Sequence, residues 1–395
     1  MTKTGGESFL VLNVGSSTLK FGVFGFAGDD AVFQGVVDHA GPDADQLRIT
    51  DRSGRTELSQ LSPGSESLVG KVLRFLDARG MLTEIQAVGH RLVHGGPVMR
   101  EPVRVDASVR TLLDQLVPLA PDHLPAELFA IDEVSRLRPS IEQIACFDTA
   151  FHSSLPTVAR IFGIPRDLSE SGVVRYGFHG LSYEYVTSTL RARGELPLRT
   201  IVAHLGNGAS TCAVLDGVSI DTSMGMTPSG GFVMSTRSGD LDPGVLLYLM
   251  RARGFTREQL EEVTDGRGGL LGISGISGDV RELLLASATN EAARDAIDAF
   301  CYQMRKFIGA YAVVLGGLDA LVFTGGIGEH SAIIRASICK GLQFLGVTLD
   351  AELNIDDAPL ISSASSRVVV RTLHTREDVM IARHIRALRA SRGRS

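Results

Sequence analysis

Two short apolar runs, 9–14 and 19–24, stand near the start of the chain with a polar turn between them. This pattern predicts a β-hairpin whose turn carries Gly15, Ser16 and Ser17. A polar stretch over about 38–66, rich in Gly, Asp and Ser, follows it. Residues 66–80 show helical periodicity and end at Gly80, a residue suited to closing a helix. An apolar strand over 87–96 runs into a loop with two His, an Arg and two Gly. "QIACFDTAFH" (143–152) reads as a strand ending in charge, and 199–217 as a second hairpin. Residues 223–244 form a long Gly/Ser-rich loop, and loops of that length in a compact protein are usually functional. A long helix is predicted over 289–316, a buried strand meeting a Gly-rich turn over 319–330, and an amphipathic helix with Arg on its wet face over 376–390. Aligning Gly15 with Gly206 lays "FLVLNVGSSTLKFGVF" over "TIVAHLGNGASTCAVL". Internal duplication, one copy per domain, explains the match. Chance remains the plain alternative, because strand–turn–strand is common.

Length and charge narrow the picture. A chain of 395 residues predicts two domains. A net charge of −6 gives no global field for nucleic acid or an anionic membrane, yet leaves room for a small anionic substrate held by local positive charge. The longest apolar run, 309–323, is broken by paired Gly and by Asp319 and is too short to span a bilayer. "MTKTGGES" lacks an apolar signal core. Cys146, Cys212, Cys301 and Cys339 are widely spaced, which suggests buried thiols in a reducing compartment. The expectation is a cytoplasmic protein.

The polar turns carry candidate chemistry. A tight turn turns several backbone N–H groups to one side, and Gly lets a phosphate approach them. In "NVGSSTLK", Lys20 adds a cation and Asn13 is suited to hold a metal-bound water. An ordinary hairpin turn would have the same composition, so one such turn decides nothing. Two similar turns and the Gly-rich "FTGGIGEH" make three candidate phosphate loops. Arg91, Arg237 and His179 lie among Gly and small residues, and Asp148 ends a buried strand. Singly, each has a plain reading: solvated arginines, a core histidine, a helix-capping aspartate. Together they suit transfer of a highly charged group.

The chain resembles the acetate kinase family (acetate and propionate kinases) of the actin/sugar-kinase/Hsp70 superfamily. The stretches that carry the resemblance are "NVGSSTLKF", "GHRLVHGG", "FDTAFH", "RYGFHG", "HLGNGAS", "TRSGDLDPG", "GDVRE", "GGIGEH" and "TRED", in family order over nearly the whole length. The resemblance implies an α/β fold of two duplicated actin-like (ribonuclease H-like) domains with an interdomain cleft. Residues 1–148 with 378–395 would form the first domain and 149–377 the second, nucleotide-binding one. It implies reversible transfer of the γ-phosphoryl group of ATP to a short carboxylate, acetate first and propionate second, with magnesium or manganese, in a homodimer. Asn13 and Glu377 would be the metal-associated pair, and Lys20 a nucleotide-phosphate contact. Arg91 and Arg237 would clamp carboxylate and phosphoryl group, His179 would donate to the transition state, and Asp148 matches the family's catalytic aspartate. His204, Leu205, Gly206, Asn207 and Gly208 would form the second phosphate loop. Asp279, Val280 and Arg281 would contact the nucleoside, with Gly325, Gly326, Ile327, Gly328 and Glu329 on the adenosine side. Val93, Phe178 and Pro228 would line a small acyl pocket. The chain departs from the family at Asp122 in "APDHLP", Tyr183 in "GFHGLSY", Ser235 in "MSTRSGD" and Arg376 in "HTRED". Asp122 is expected to point away from the acyl site, because an unpaired charge beside an anionic substrate is unfavourable. The reading from another class is a non-catalytic or slow-ATPase module of the same superfamily, which would need the phosphate loops but no paired arginines.

Overall fold

The computed structural model describes residues 7–15, 18–39, 45–61 and 67–392. Ser16 and Ser17 of the first turn, and 40–44 and 62–66 of the polar stretch, lie outside the described residues. The chain divides into two compact units, Met1–Ala150 with Arg376–Ser395, and Phe151–Thr375.

The first unit is built on an eight-stranded sheet. Its strands are β1 (Ser8–Val14), β2 (Thr18–Gly25), β3 (Ala31–His39), β4 (Asp45–Asp51), β5 (Thr56–Leu61), β6 (Ile85–Leu92), β7 (Val103–Arg104) and β8 (Glu142–Phe147). Their order is β5-β4-β3-β2-β1-β6-β8-β7. The antiparallel hairpin β1–β2 continues into β3, while β6 and β8 run parallel to β1. The polar stretch that composition reads as turn-rich thus holds two further strands, β4 and β5, antiparallel to their neighbours. Leu47 and Ile49 on β4 are buried, while the side chains flanking them are not, the alternation of a strand with one wet face.

Successive side chains of β1 are buried on both faces: Phe9, Leu10, Val11 and Leu12. Leu10, Leu12 and Val88 share a core with Val72, Leu76, Ala130 and Val134 of the helices Leu68–Ala78 and Leu124–Leu137. The opposite face meets the helix Glu377–Arg392, where a Cβ on Gly89 would lie 2.4 Å from Ile381. Arg383, Arg386 and Arg389 of that helix are not on a wet face, where periodicity alone puts them. Arg383 and Arg386 bind Asp29 at 3.1 and 3.2 Å, and Arg389 binds Glu142 at 2.8 Å, fastening the helix to the sheet.

The second unit has a five-stranded sheet, β9 (Arg199–Leu205), β10 (Ala209–Leu215), β11 (Val218–Thr222), β12 (Ala320–Thr324) and β13 (Val369–Thr372), ordered β11-β10-β9-β12-β13. The helix Gly180–Ala192 packs Tyr183, Val186 and Leu190 on Val202, Cys212 and Val322. The long helix Glu291–Val314 lies against β9 and β10. The Gly-rich segment after β12 is a short helix, Gly325–His330, and not a turn. Among the described residues no helix is long and apolar enough to cross a membrane.

The space at Gly89 gives a test of the fold. Gly89→Ala forces a methyl group against Ile381 and Ile385, both fully buried. Overpacking of this kind costs about 1–3 kcal/mol, read as a lowered urea midpoint. An unchanged midpoint would place the C-terminal helix elsewhere.

Candidate functional site

In the first unit the site grows from three adjacent parallel strands, β1, β6 and β8. Parallel strands end on one edge of a sheet, and open α/β sheets bind ligands at the carboxyl ends. Asn13 lies near the end of β1, Arg91 near the end of β6, and Asp148 directly after β8. The Asp148 N–H prolongs the ladder by donating to the Leu92 carbonyl at 2.9 Å.

Arg91 organises what surrounds it. Its Nε donates to Asp148 Oδ1 at 3.3 Å and its Nη2 to Asp148 Oδ2, a fork on a carboxylate that is 1% exposed. Asn13 Oδ1 lies 3.5 Å from Nη1, and Glu377 Oε2 lies 4.0 Å from Nε. Glu377 opens the helix Glu377–Arg392. Burial works against the Arg91 charge, but the carboxylates of Asp148, Glu377 and Glu127 hold the proton more tightly than usual. Lys20 sits opposite Asn13 in the β1–β2 register and is exposed. Asp122 is exposed too.

Glu127 is the site residue that sequence reasoning missed. It accepts from the Val93 N–H at 3.0 Å. Its Oε1 is buried with no hydrogen-bond partner among the described residues, 3.9 Å from Arg91 Nη1. Burial pushes its carboxyl up to about 7, against the pull of Arg91 and the Val93 N–H. A signal was present: Leu124, Leu128 and Ile131 mark the inner stripe of its helix, and Glu127 falls on that stripe.

In the second unit, β9 and β10 are joined by Gly206, Asn207 and Gly208. The Gly206 N–H donates to the Gly208 carbonyl at 3.2 Å, and the Ser235 N–H to the Asn207 carbonyl at 3.2 Å. A Cβ on Gly208 would lie 3.3 Å from Arg237 Nη1 and 3.4 Å from His179 Nε2. Only a glycine leaves the turn bare between those two side chains. Arg237 Nη1 donates to the Pro228 carbonyl at 3.3 Å. His179 precedes its helix with φ of 58°, a left-handed conformation that costs a non-glycine residue on the order of 1–3 kcal/mol. Its ring stacks on His204 at 4.3 Å, and its Nδ1 lies 2.8 Å from Ser210 Oγ. His204 Nδ1 lies 2.9 Å from Ser182 Oγ.

The remaining candidates spread over both units. Leu205, at the end of β9, is buried, and its carbonyl would lie 2.6 Å from a Cβ on Gly325, whose φ is +78°. Glu329 accepts from the Gly325 N–H at 2.8 Å and pairs with His374 at 2.7 Å. Burial raises its carboxyl, but His374 and the backbone donors outweigh this and hold it low. Gly326, Ile327 and Gly328 lie on the short helix between them. Asp279 caps the helix Val280–Ala286 through the Arg281 N–H at 2.7 Å, and the exposed Arg281 side chain folds back on it at 2.5 Å. Val93 and Phe178 are buried, and Pro228 is partly exposed. The structure therefore brings Asn13, Arg91, Asp148 and Glu377 together in the first unit, and His179, His204, Gly208 and Arg237 together in the second.

Comparison with known proteins follows this geometry. Residues 8–383 match the model of the acetokinase family. An acetate kinase of Rhodopseudomonas palustris (strain TIE-1) is 42% identical over 391 residues, covering 96% of this chain and 98% of that protein. A propionate kinase of Citrobacter rodentium is 40% identical, covering 96% of each chain. The crystal structure of a propionate kinase from Francisella tularensis superposes with a TM-score of 0.89 at 36% identity, over 96% of this chain and 98% of that one. The two-sheet α/β architecture is thus that of the acetate and propionate kinases, an actin-like ATPase fold.

Glu127 supplies a pH test. An unperturbed glutamate titrates near 4.5, and Glu127 in the folded chain at about 7. Between those values the folded chain keeps a proton that the unfolded chain has lost. The contribution is full below 4.5 and is lost as pH rises through 7. The wild type should therefore lose on the order of 3 kcal/mol relative to Glu127→Gln between pH 4.5 and 8. Urea denaturation of both proteins across that range measures it, and parallel stability curves would refute it.

Proposed function

The chain belongs to the acetokinase family, and from that premise we propose that it transfers the γ-phosphoryl group of ATP reversibly to acetate, giving acetyl phosphate and ADP, with propionate as the second substrate. The observation that carries this reading is the bare turn at Gly208 between His179 Nε2 and Arg237 Nη1. Donors fixed around a glycine are suited to a phosphoryl group that gains charge in its transition state. Arg91 then binds the carboxylate, with its orientation set by the fork to Asp148.

The metal reading rests on Asn13 and Glu377. Among the described residues no group of three or more His, Cys, Asp or Glu could hold a metal ion. Magnesium keeps several waters and takes one or two protein carboxylates together with substrate phosphates, and the Asn13 amide oxygen and the Glu377 carboxylate, both beside Arg91, are oxygen donors of that kind. When bound, magnesium neutralises charge on the phosphates. The same reading gives Lys20 and the segments 204–208, 279–281 and 325–329 to the nucleotide, and Val93, Phe178 and Pro228 to the acyl group. The domains are proposed as 1–148 with 378–395 and 149–377, the second binding nucleotide. A homodimer is supported by the helix Pro243–Arg253, which buries no residue and exposes Val245, Leu247, Tyr248 and Met250. Four buried free thiols support a cytoplasmic, reducing location.

The function is tested by incubating the protein with Mg-ATP, acetate and hydroxylamine. Acetohydroxamate is the expected product, and ATP hydrolysis without hydroxamate sinks the assignment.

Asp148 is read as the anchor of Arg91 and not as a general base. A short carboxylic acid resembles an Asp or Glu side chain, with a pKa of roughly 4–5, so at pH 7 it has no proton to remove. Both Asp148 oxygens are already engaged by Arg91. Asp148→Asn should lower kcat by on the order of 100-fold or more and raise the Mg²⁺ requirement. The pH–rate profile should keep its shape at saturating Mg²⁺. An acid-side limb near pH 6–7 in the wild type that vanishes in the variant would make Asp148 a base.

A further inference from the structure

We propose that Tyr183 is a positioning residue which, through the Ser210 hydroxyl, keeps the proton of neutral His179 on Nε2. The inference deepens the reading of His179 as a phosphoryl-group donor and rests on that reading for its catalytic consequence.

Three side chains form the chain of hydrogen bonds. Tyr183 lies one turn into the helix that His179 precedes, and Ser210 lies on β10. The Tyr183 hydroxyl is hydrogen-bonded to Ser210 Oγ, and Ser210 Oγ lies 2.8 Å from His179 Nδ1. Tyr183 and Ser210 are both 0% exposed, so water does not compete for either hydroxyl.

The direction of the bonds follows from counting hydrogens. A phenol has one O–H, and a buried O–H left without an acceptor is costly. Ser210 Oγ is the acceptor that the structure offers it, so Tyr183 donates to Ser210. Burial pushes the phenol well above its ordinary range, so it keeps its hydrogen throughout the working pH range. Ser210 also has one hydrogen, and its other neighbour is His179 Nδ1. Ser210 therefore donates to Nδ1, and Nδ1 accepts. A neutral imidazole that accepts at Nδ1 carries its hydrogen on Nε2.

Nε2 is the nitrogen on the Gly208 side, beside Arg237. The relay thus presents an N–H where the phosphoryl group is proposed to bind. It also disfavours the imidazolium, because a second hydrogen on Nδ1 would face a hydroxyl already committed to donating. Around the relay stand His204, stacked on His179, Arg237 across Gly208, His152 at 5.5 Å and Cys212 beside Tyr183, and Tyr311, whose phenol interacts with that of Tyr183 and is itself held well above its ordinary range by burial. His152 is pulled down to about 4 by burial and Cys212 up to about 12, so neither changes charge near neutrality.

The test is ¹⁵N NMR of the full-length protein labelled at histidine, with His179 assigned by loss of its signals in His179→Gln. Wild-type spectra should show a protonated Nε2 and an accepting Nδ1. Tyr183→Phe frees Ser210 to accept from Nδ1–H, so the signals should move toward a mixture of tautomers and the His179 pKa should rise. Ser210→Ala removes the relay at its centre and should do the same, which keeps the idea testable where one variant does not fold. Turnover should fall by on the order of 10-fold in Tyr183→Phe with both KM values unchanged. A His179 spectrum and pKa unaltered in the variants would overturn the proposal. Normal turnover in His179→Gln would instead overturn the donor reading and leave the spectra to decide the relay.

Discussion

The site edge of the first sheet depends on one guanidinium among carboxylates. Arg91 is buried enough that its charge would be unfavourable alone, and Asp148 compensates it through two parallel hydrogen bonds. Glu127 and Glu377 stand further off, at 3.9 and 4.0 Å. One cation cannot neutralise three carboxylates, and the least solvated of the two distant ones answers by holding a proton near neutral pH. That proton matters because two anions are proposed to meet in this protein. Each carboxylate left ionised beside Arg91 weakens what the guanidinium can offer to a substrate.

The two sheets repeat one topology. In each, an antiparallel meander is followed by two strands parallel to its first member: β3-β2-β1-β6-β8 in one unit and β11-β10-β9-β12-β13 in the other. The proposed site residues fall at corresponding ends. Asn13, Arg91 and Asp148 mark the ends of β1, β6 and β8, while Leu205 and Gly325 mark those of β9 and β12. A duplicated frame therefore offers equivalent edges, and side chains specialise them. One edge gathers charge, and the other gathers glycine and imidazole.

Much of this was legible beforehand, for reasons that differ by element. The hairpins at 9–24 and 199–217 announce themselves because apolar runs flank glycine turns, and the long helix because its apolar stripe persists over 24 residues. β4 and β5 stayed hidden because both are short and carry more polar than apolar residues, and the Gly, Asp and Ser of the segments around them set the composition of the whole stretch. The helix at Gly325–His330 stayed hidden because three glycines read as a turn, whereas Gly325 alone takes the left-handed conformation there. The C-terminal arginines look solvated until their partners, Asp29 and Glu142, arrive from hundreds of positions away. Arg91, Asp148 and His179 could be named from the sequence as a set. Glu127 and Ser210 stayed outside that set, because a glutamate on the buried stripe of a helix and a serine inside a buried strand stand out only when burial itself is read as a signal.

The two units immobilise their functional side chains by different means, and the difference has a physical reason. A guanidinium keeps its charge at every accessible pH, so what must be fixed is its direction, and a carboxylate fork does that best. An imidazole has two nitrogens and a labile proton, so its protonation must be fixed as well. A carboxylate at His179 Nδ1 would stabilise the imidazolium and add negative charge where a phosphoryl group is to bind. A serine hydroxyl adds none. It can point its hydrogen either way, however, and on its own would select neither tautomer. A buried phenol behind it removes that freedom without bringing in charge, because its one O–H needs an acceptor and Ser210 Oγ is the one it meets. The neutral pair Tyr183–Ser210 thus does for His179 what the charged Asp148 does for Arg91, at a position where a second carboxylate would work against the anion.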